Sequence, residues 1–225
     1  MLVVLTRERG HNEAVRAWLP EGAEVIEVPL TTTRYFDVED VRSTLVANDH
    51  FGKFQALVVT SSRSAAYLAL ATTALHEGGI VLSVGPATAE AMSAHAPGVV
   101  VTMVGRDGAL TLSPAIIEGP VLLLGATSTR DELPAALRAK GLDVTELACY
   151  ETRPAALRGE DEQVIGRADV IFIAAPSAWS VASPLVTNPT WVVVPGSTTA
   201  TAVRATHERV IEGWGPELRG LLSAL

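Results

Sequence analysis

Residues 3–34, VVLTRERGHNEAVRAWLPEGAEVIEVPLTTTR, align without a gap on residues 122–153, LLLGATSTRDELPAALRAKGLDVTELACYETR. The alignment pairs Gly22 with Gly141, Val25 with Val144, Thr33 with Thr152 and Arg34 with Arg153. Two further stretches recur in the same order. LVVTSSRSA (57–65) matches IFIAAPSAW (171–179), and SVGPATAEA (83–91) matches VVPGSTTATA after a one-residue adjustment, with Gly85 opposite Gly196 and Thr88 opposite Thr199. A chain that repeats itself over whole strand-turn-helix segments builds two similar bodies.

Short apolar runs give the strands: Leu2–Leu5, Glu24–Val28, Ala56–Thr60, Ile80–Val84 and Val99–Val104, then Val121–Leu124, Asp143–Ala148, Asp169–Ala174, Trp191–Val194 and Arg209–Ile211. Helix-like segments separate them, among them Asn12–Leu19, Val38–Ala47, Arg63–His76, Ala87–His95, Ala109–Ile117, Asp131–Lys140, Ala178–Val186 and Thr198–His207. Strands alternating with helices predict an α/β fold in which each half is a five-strand parallel sheet covered on both faces. No low-complexity linker divides the halves.

The net charge of −8 and the absence of a basic run argue against a nucleic-acid partner, because phosphate neutralisation needs a concentrated basic face. Any anionic ligand must be held locally. Cys149 is the single cysteine, so no disulfide or thiolate metal site forms within the chain, which suits a reducing cytoplasm. No stretch approaches the roughly 18 apolar residues of a membrane span. A cytoplasmic monomer is expected.

In open parallel sheets, ligands sit beyond the carboxyl ends of the strands, where helix N-termini present unpaired N–H groups. The sequence puts Ser, Thr and Gly at five such turns: Thr60-Ser61-Ser62, Gly85-Pro86-Ala87-Thr88, Gly125-Ala126-Thr127-Ser128, Pro176-Ser177 and Gly196-Ser197-Thr198-Thr199. Two readings of each are open: an ordinary N-cap, worth about 1 kcal/mol, or a neutral donor aimed at an anion. Arg7, Arg63 and Arg130 also follow strands and complement such donors, or are solvated surface groups. No P-loop, GxGxxG after a strand, GxSxG elbow or HExxH helix occurs, and the five His lack metal-ligand spacing.

With the repeat, these turns and the missing motifs together, the chain resembles the uroporphyrinogen-III synthase family over essentially its whole length. The marks are LTR (5–7), VVTSSRSA (58–65), SVGPATAEA (83–91), LLLGATSTRDELPAALRAKGLDVTELACYETRPA (122–155), APSAW (175–179) and PGSTTATAV (195–203). The resemblance implies two flavodoxin-like α/β domains joined by a two-stranded connector, one domain being discontinuous. In this sequence the connector is Leu30–Arg34 with Cys149–Arg153, one domain is 1–31 plus 153–225 and the other 35–148, with the active cleft between them.

The resemblance also implies the chemistry: a cofactor-independent lyase that cyclises hydroxymethylbilane, a linear tetrapyrrole with eight carboxylates, to uroporphyrinogen III. The terminal hydroxyl leaves as water to give an azafulvene, ring D is attacked at its substituted carbon to form a spiro intermediate, and fragmentation and reclosure invert the ring. Tyr150, in the YET tripeptide, is the implied proton donor to the leaving oxygen, since a phenol is protonated at neutral pH. Implied carboxylate-binding residues are Ser61, Ser62, Thr88, Ser177, Ser197, Thr198 and Thr199, with Arg7, Arg63 and Arg130 as additions; no metal is expected. Two positions depart from the family pattern: Ala174-Ala175 stand where Thr-Ser is common, and Gly125-Ala126 carries no basic residue. The rival reading is a non-catalytic two-domain binding protein or sensor for a small tetrapyrrole-like anion, which would not need Tyr150.

Overall fold

A computed structural model of the chain describes residues 1–105, 109–128 and 131–225. In chain order the elements are β1 (Leu2–Leu5), α1 (Glu13–Arg16), β2 (Glu24–Glu27), β3 (Thr31–Tyr35), α2 (Val38–Ala47), β4 (Phe54–Val59), α3 (Leu68–Ala71), β5 (Leu75–Ser83), α4 (Pro86–His95) and β6 (Met103–Val104). They continue with β7 (Val121–Ala126), α5 (Glu132–Ala139), β8 (Val144–Pro154), α6 (Gly159–Gly166), β9 (Val170–Phe172), α7 (Pro176–Ala182), β10 (Trp191–Val194), α8 (Ser197–Arg204), β11 (Val210–Glu212) and α9 (Leu218–Ser223). Segments Ser62–Tyr67, Thr72–Ala74 and Ala109–Ala115 are 3₁₀ helices.

The chain divides into two compact units, Met1–Thr32 with Arg153–Leu225, and Thr33–Thr152. In the first, a parallel sheet runs β11-β10-β9-β1-β2. In the second, β8-β7-β4-β5-β6 are parallel and β3 joins the edge beside β8. The Phe36 N–H donates to the Cys149 carbonyl, and the Ala155 N–H to the Leu30 carbonyl. Residue numbers thus rise along one strand as they fall along the other, so β3 and β8 are antiparallel.

Central strands buried on both faces explain why the sequence shows continuous apolar runs rather than alternation. Val4 packs into the core layer with α7 and α8, while Val3 and Leu5 pack on the other face with Val15, Leu19, Leu218 and Leu222. The repeat carries this over to β7. Leu122 and Leu124 face the layer containing Tyr67, Leu68 and Met92, while Val121 and Leu123 face Leu112, Leu133 and Leu137. Full burial of each such side chain contributes about 1.5–3 kcal/mol. Gly22 and Gly141, which the repeat sets opposite each other, have φ of +78° and +79° just before β2 and β8, a conformation that disfavours any side chain.

In each unit the helices after two neighbouring strands leave to opposite faces. α1 (Val15) follows β1 and α7 (Ala178, Trp179) follows β9 on opposite core layers; the Ser62–Tyr67 helix follows β4 and α5 (Leu133) follows β7 likewise. Those are the switch points where doubly wound sheets open a crevice for ligands. A hydroxyl ties each crevice: Thr6 Oγ1 donates to the Phe172 carbonyl, and Thr60 Oγ1 to the Leu124 carbonyl at 3.0 Å.

Several expected elements come out differently. The strand expected over Val99–Val104 is formed only at Met103–Val104. The helix expected over Arg63–His76 is a 3₁₀ turn, a single α-turn and a second 3₁₀ turn, and the chain is already extended at Leu75. The Thr72 and Thr73 hydroxyls donate back to the Ala69 and Leu70 carbonyls, which ends the helix early. Ala109–Ile117 is 3₁₀ rather than α, with Pro114 inside it supplying no N–H. Asn12–Leu19 shortens to Glu13–Arg16. The expected strand Asp143–Ala148 and connector segment Cys149–Arg153 are one continuous 11-residue strand, β8. No described helix is long and apolar enough to cross a membrane.

Candidate functional site

In the second unit a cavity of about 490 Å³ opens at the carboxyl ends of the strands. Thr60 after β4, Gly125 and Ala126 of β7, Ser128, Leu133 of α5, and Glu146 and Tyr150 of β8 line it. The cavity therefore lies at the unit's switch point, where the fold predicts a ligand.

Tyr150 lies directly after an irregularity in β8. Along β7 and β8, Leu124 pairs with Leu147 and Gly125 with Ala148, but Ala126 pairs with Tyr150, so Cys149 is an extra residue in β8. The side-chain period of a strand is two, and one inserted residue turns everything after it to the other face. Tyr150 accordingly shares the core layer of Leu147, Cys149 and Tyr67. That layer also holds the helix after β4, and the Arg63 guanidinium carbon lies 5.9 Å from the Tyr150 ring centroid. The Tyr35 ring packs against Tyr150 at 6.2 Å between centroids, tilted by 47°.

The Tyr150 backbone is held on both sides: its carbonyl accepts from the Thr127 N–H at 2.9 Å, and the preceding carbonyl, of Cys149, accepts from the Phe36 N–H at 2.9 Å. The side chain is 6% exposed, and its hydroxyl makes no hydrogen bond among the described residues. Burial pushes the Cys149 thiol up to about 12. Burial also holds the Tyr67 phenol above its ordinary range, with Cys149 pushing the same way.

The helix starts separate the two readings left open for their hydroxyls. Ser61 is an N-cap, its Oγ accepting from the Arg63 N–H at 3.2 Å, and Ser62 is exposed beside it. At α4 and α8 the N-cap is Gly85 or Gly196, and no side chain caps either helix. Thr88 and Thr199 are the third residues of these helices, 8% and 4% exposed, and neither hydroxyl has a partner among the described residues. Ser197 and Thr198 are exposed at the start of α8, and Ser177 is exposed at the start of α7. α8 and α7 pack together in the first unit, while α4 packs on the Ser62–Tyr67 helix in the second.

The structure thus gathers Ser61, Ser62, Arg63, Thr88 and Tyr150 in the second unit, and Ser177, Ser197, Thr198 and Thr199 in the first. Arg7 is half-buried directly after β1, beside Thr6. Arg130 lies outside the described residues. Sequence reasoning passed over Ser64, which is fully buried in the second unit with its Oγ unpartnered among the described residues. Counting from the N-cap would have found it, because Ser64 is the third residue of its helix, as Thr88 and Thr199 are of theirs. A second hollow, of about 320 Å³, lies at the opposite ends of the first unit's strands, at Asp169, Trp191 and Arg209, and touches none of these residues. Among the described residues no group of three His, Cys, Asp or Glu is placed to hold a metal.

The family model described as uroporphyrinogen-III synthase HemD matches residues 13–220. Solved structures agree in fold. A mutant uroporphyrinogen III synthase from Thermus thermophilus shares 18% identity with a TM-score of 0.67, covering 100% of this chain and 96% of its own. The enzyme titled uroporphyrinogen-III synthetase from Helicobacter pylori shares 15% identity with a TM-score of 0.65, covering 99% and 97%. No curated protein matches the sequence. The chain belongs to the uroporphyrinogen-III synthase family.

Proposed function

We propose that this member of the uroporphyrinogen-III synthase family converts hydroxymethylbilane into uroporphyrinogen III without a cofactor, with Tyr150 as the acid that releases the terminal hydroxyl. The Tyr150 Oη gives its proton to the hydroxyl as the carbon–oxygen bond breaks, and water leaves. The electron pair of the adjoining pyrrole fills the vacancy to form the azafulvene in its N-protonated form, and the proton released at final ring closure restores the Tyr150 phenol. Attack by ring D through its substituted carbon then gives the spiro intermediate, and fragmentation and reclosure complete the inversion.

One observation carries this reading: Tyr150 lines a cavity at the switch point, and its hydroxyl makes no hydrogen bond among the described residues. Five residues of that lining, Val84, Leu110, Leu123, Leu133 and Leu147, are large aliphatics and suit a pyrrole ring rather than its acid arms. The arms belong at the helix starts. Thr88 and Thr199 supply hydroxyls that no cap consumes, Ser197 and Thr198 add exposed hydroxyls and N–H groups, and Ser61, Ser62 and Ser177 add to them. Arg7, Arg63 and Arg130 add positive charge for carboxylates. We further propose a monomer that acts in the cytoplasm and binds no nucleic acid, in keeping with the net charge of −8.

The test is to supply freshly prepared hydroxymethylbilane and resolve the type I and type III products. Type III enrichment by the wild-type chain, slowed at least about tenfold in Tyr150→Phe, is the expected result. Type I product alone refutes the function, and undiminished turnover in Tyr150→Phe removes Tyr150 from the mechanism.

A further inference from the structure

Tyr67 is a buried tyrosine that the reaction does not use directly. It is 4% exposed in the core layer shared with Cys149 and Tyr150. Among the described residues its hydroxyl has one partner, the Phe36 carbonyl, to which it donates at 2.5 Å. Phe36 follows β3 directly, at the sheet edge, and its own N–H donates to the carbonyl of Cys149, the extra residue of the bulge.

From this arrangement we propose that Tyr67 is a positioning residue for Tyr150: through the Phe36 peptide it fixes the bulge that sets Tyr150 in its place on the cavity wall. This rests on the Tyr150 assignment above. The physical case starts from the weakness of a bulge, which leaves one residue outside the ladder and depends on neighbours to define its geometry. On the β7 side, the Thr127 N–H holds the Tyr150 carbonyl. On the β3 side, at the end of the β3–β8 pairing, the Phe36 N–H holds the Cys149 carbonyl, and Phe36 sits where the strand leaves the sheet. Without a second anchor that end of an edge strand frays.

The Tyr67 hydroxyl is such an anchor, approaching from the helix after β4 and gripping the carbonyl of the same residue. Two polar groups of one residue are then tied in opposite directions, one to the core helix and one to the bulge. Burial keeps the phenol protonated, so it remains a donor throughout the working pH range. Tyr35, one residue earlier, packs its ring on Tyr150, so the same anchor also steadies the aromatic wall beside the acid. Misplacement of a reacting group by a fraction of an ångström is enough to slow a positioned reaction.

The test is a double-mutant cycle on turnover, with thermal melts in parallel. Tyr67→Phe removes one oxygen and keeps the ring. The expected result is a fall in kcat of about tenfold with KM within about twofold. In the Tyr150→Phe background the same change is expected to have no further effect on kcat, because the group it positions is gone. Equal effects of Tyr67→Phe in both backgrounds, or a proportionate rise in KM, overturn the proposal and leave Tyr67 a structural residue. So does wild-type kcat in Tyr67→Phe.

If Tyr67→Phe does not fold, Phe36→Pro reports on the same tie from its other end by deleting the N–H to Cys149. It must show the same dependence on Tyr150 for the proposal to stand. Loss of the Tyr150 assignment is read separately: a Tyr150→Phe enzyme that turns over normally defeats both ideas. A slowed Tyr150→Phe enzyme with an undiminished Tyr67 effect defeats only the positioning.

Discussion

Replacing Thr199 by Val isolates the role of a helix-start hydroxyl, because the branched shape is kept and only the polar atom goes. Thr199 is 4% exposed, its hydroxyl caps nothing, and it has no partner among the described residues. Removing an uncommitted hydroxyl from an otherwise buried side chain deprives no other described group of a hydrogen bond, so folding stability is expected to hold or rise, by up to about 1 kcal/mol. For a chain of this size that is a Tm increase of at most about 2–4 °C. Binding should move the other way. A hydrogen bond to a carboxylate is worth about 1.5–3 kcal/mol, so Kd for a bilane is expected to rise about ten- to hundredfold. A bilane lacking the hydroxymethyl group binds without reacting, and titrating it into wild type and Thr199→Val, beside thermal melts, reads both quantities. Thr88→Val repeats the experiment at the matching position of the second unit. Unchanged affinity with an unchanged melt refutes the reasoning. A lowered melt refutes it differently, by showing that the hydroxyl serves the fold.

Ser64→Ala should likewise leave stability level or improved, by up to about 1 kcal/mol, since its buried Oγ has no partner to lose; a clear loss in a chemical-denaturation curve would reveal a bond that this reading omits. Gly141→Ala forces a side chain into φ of +79° and is expected to cost about 1 kcal/mol or more, as should Gly22→Ala at +78°; melts of both variants check it. Cys149 adds a pH term. Its thiol is held at about 12 against an ordinary value near 9.0, so the folded state keeps its proton where the unfolded state releases it. Stability from this group is intact below about pH 9 and declines as pH rises toward 12, by up to about 1.4 kcal/mol per pH unit. Comparing wild type with Cys149→Ala at pH 8 and pH 10 should show the steeper decline in wild type alone, and at pH 8 the thiol should resist alkylation.

Much of the architecture was legible because it depends on properties carried by single segments. Apolar runs such as Val3–Leu5 and Leu122–Leu124 announce strands buried on both faces, and the repeat sets their order. Gly85 and Gly196, with Thr three residues on, mark two helix starts in one register. The misses arise where competing contacts decide. Hydroxyls of Thr72 and Thr73 turned inward to their own backbone and shortened a helix whose apolar pattern ran on to His76. The bulge at Cys149 belongs to the pairing of β7 with β8, and neither strand shows it alone. The capping reading proved right at Ser61 and inapplicable at Thr88 and Thr199, a difference set by backbone geometry that residue type does not encode.

Because β1 sits between β2 and β9, its two neighbours are translated at very different moments. Thr6 meets the carbonyl of Phe172, 166 positions later. At about 5–20 residues per second, the ribosome reaches that point roughly ten seconds or more after β1 emerges. The Thr33–Thr152 unit is complete by then and can fold on emergence, while the first strand waits with one flank open. The nascent chain is thus most exposed to mispairing along Leu2–Leu5, and holding that segment apart is where a chaperone would do most for the yield of native protein.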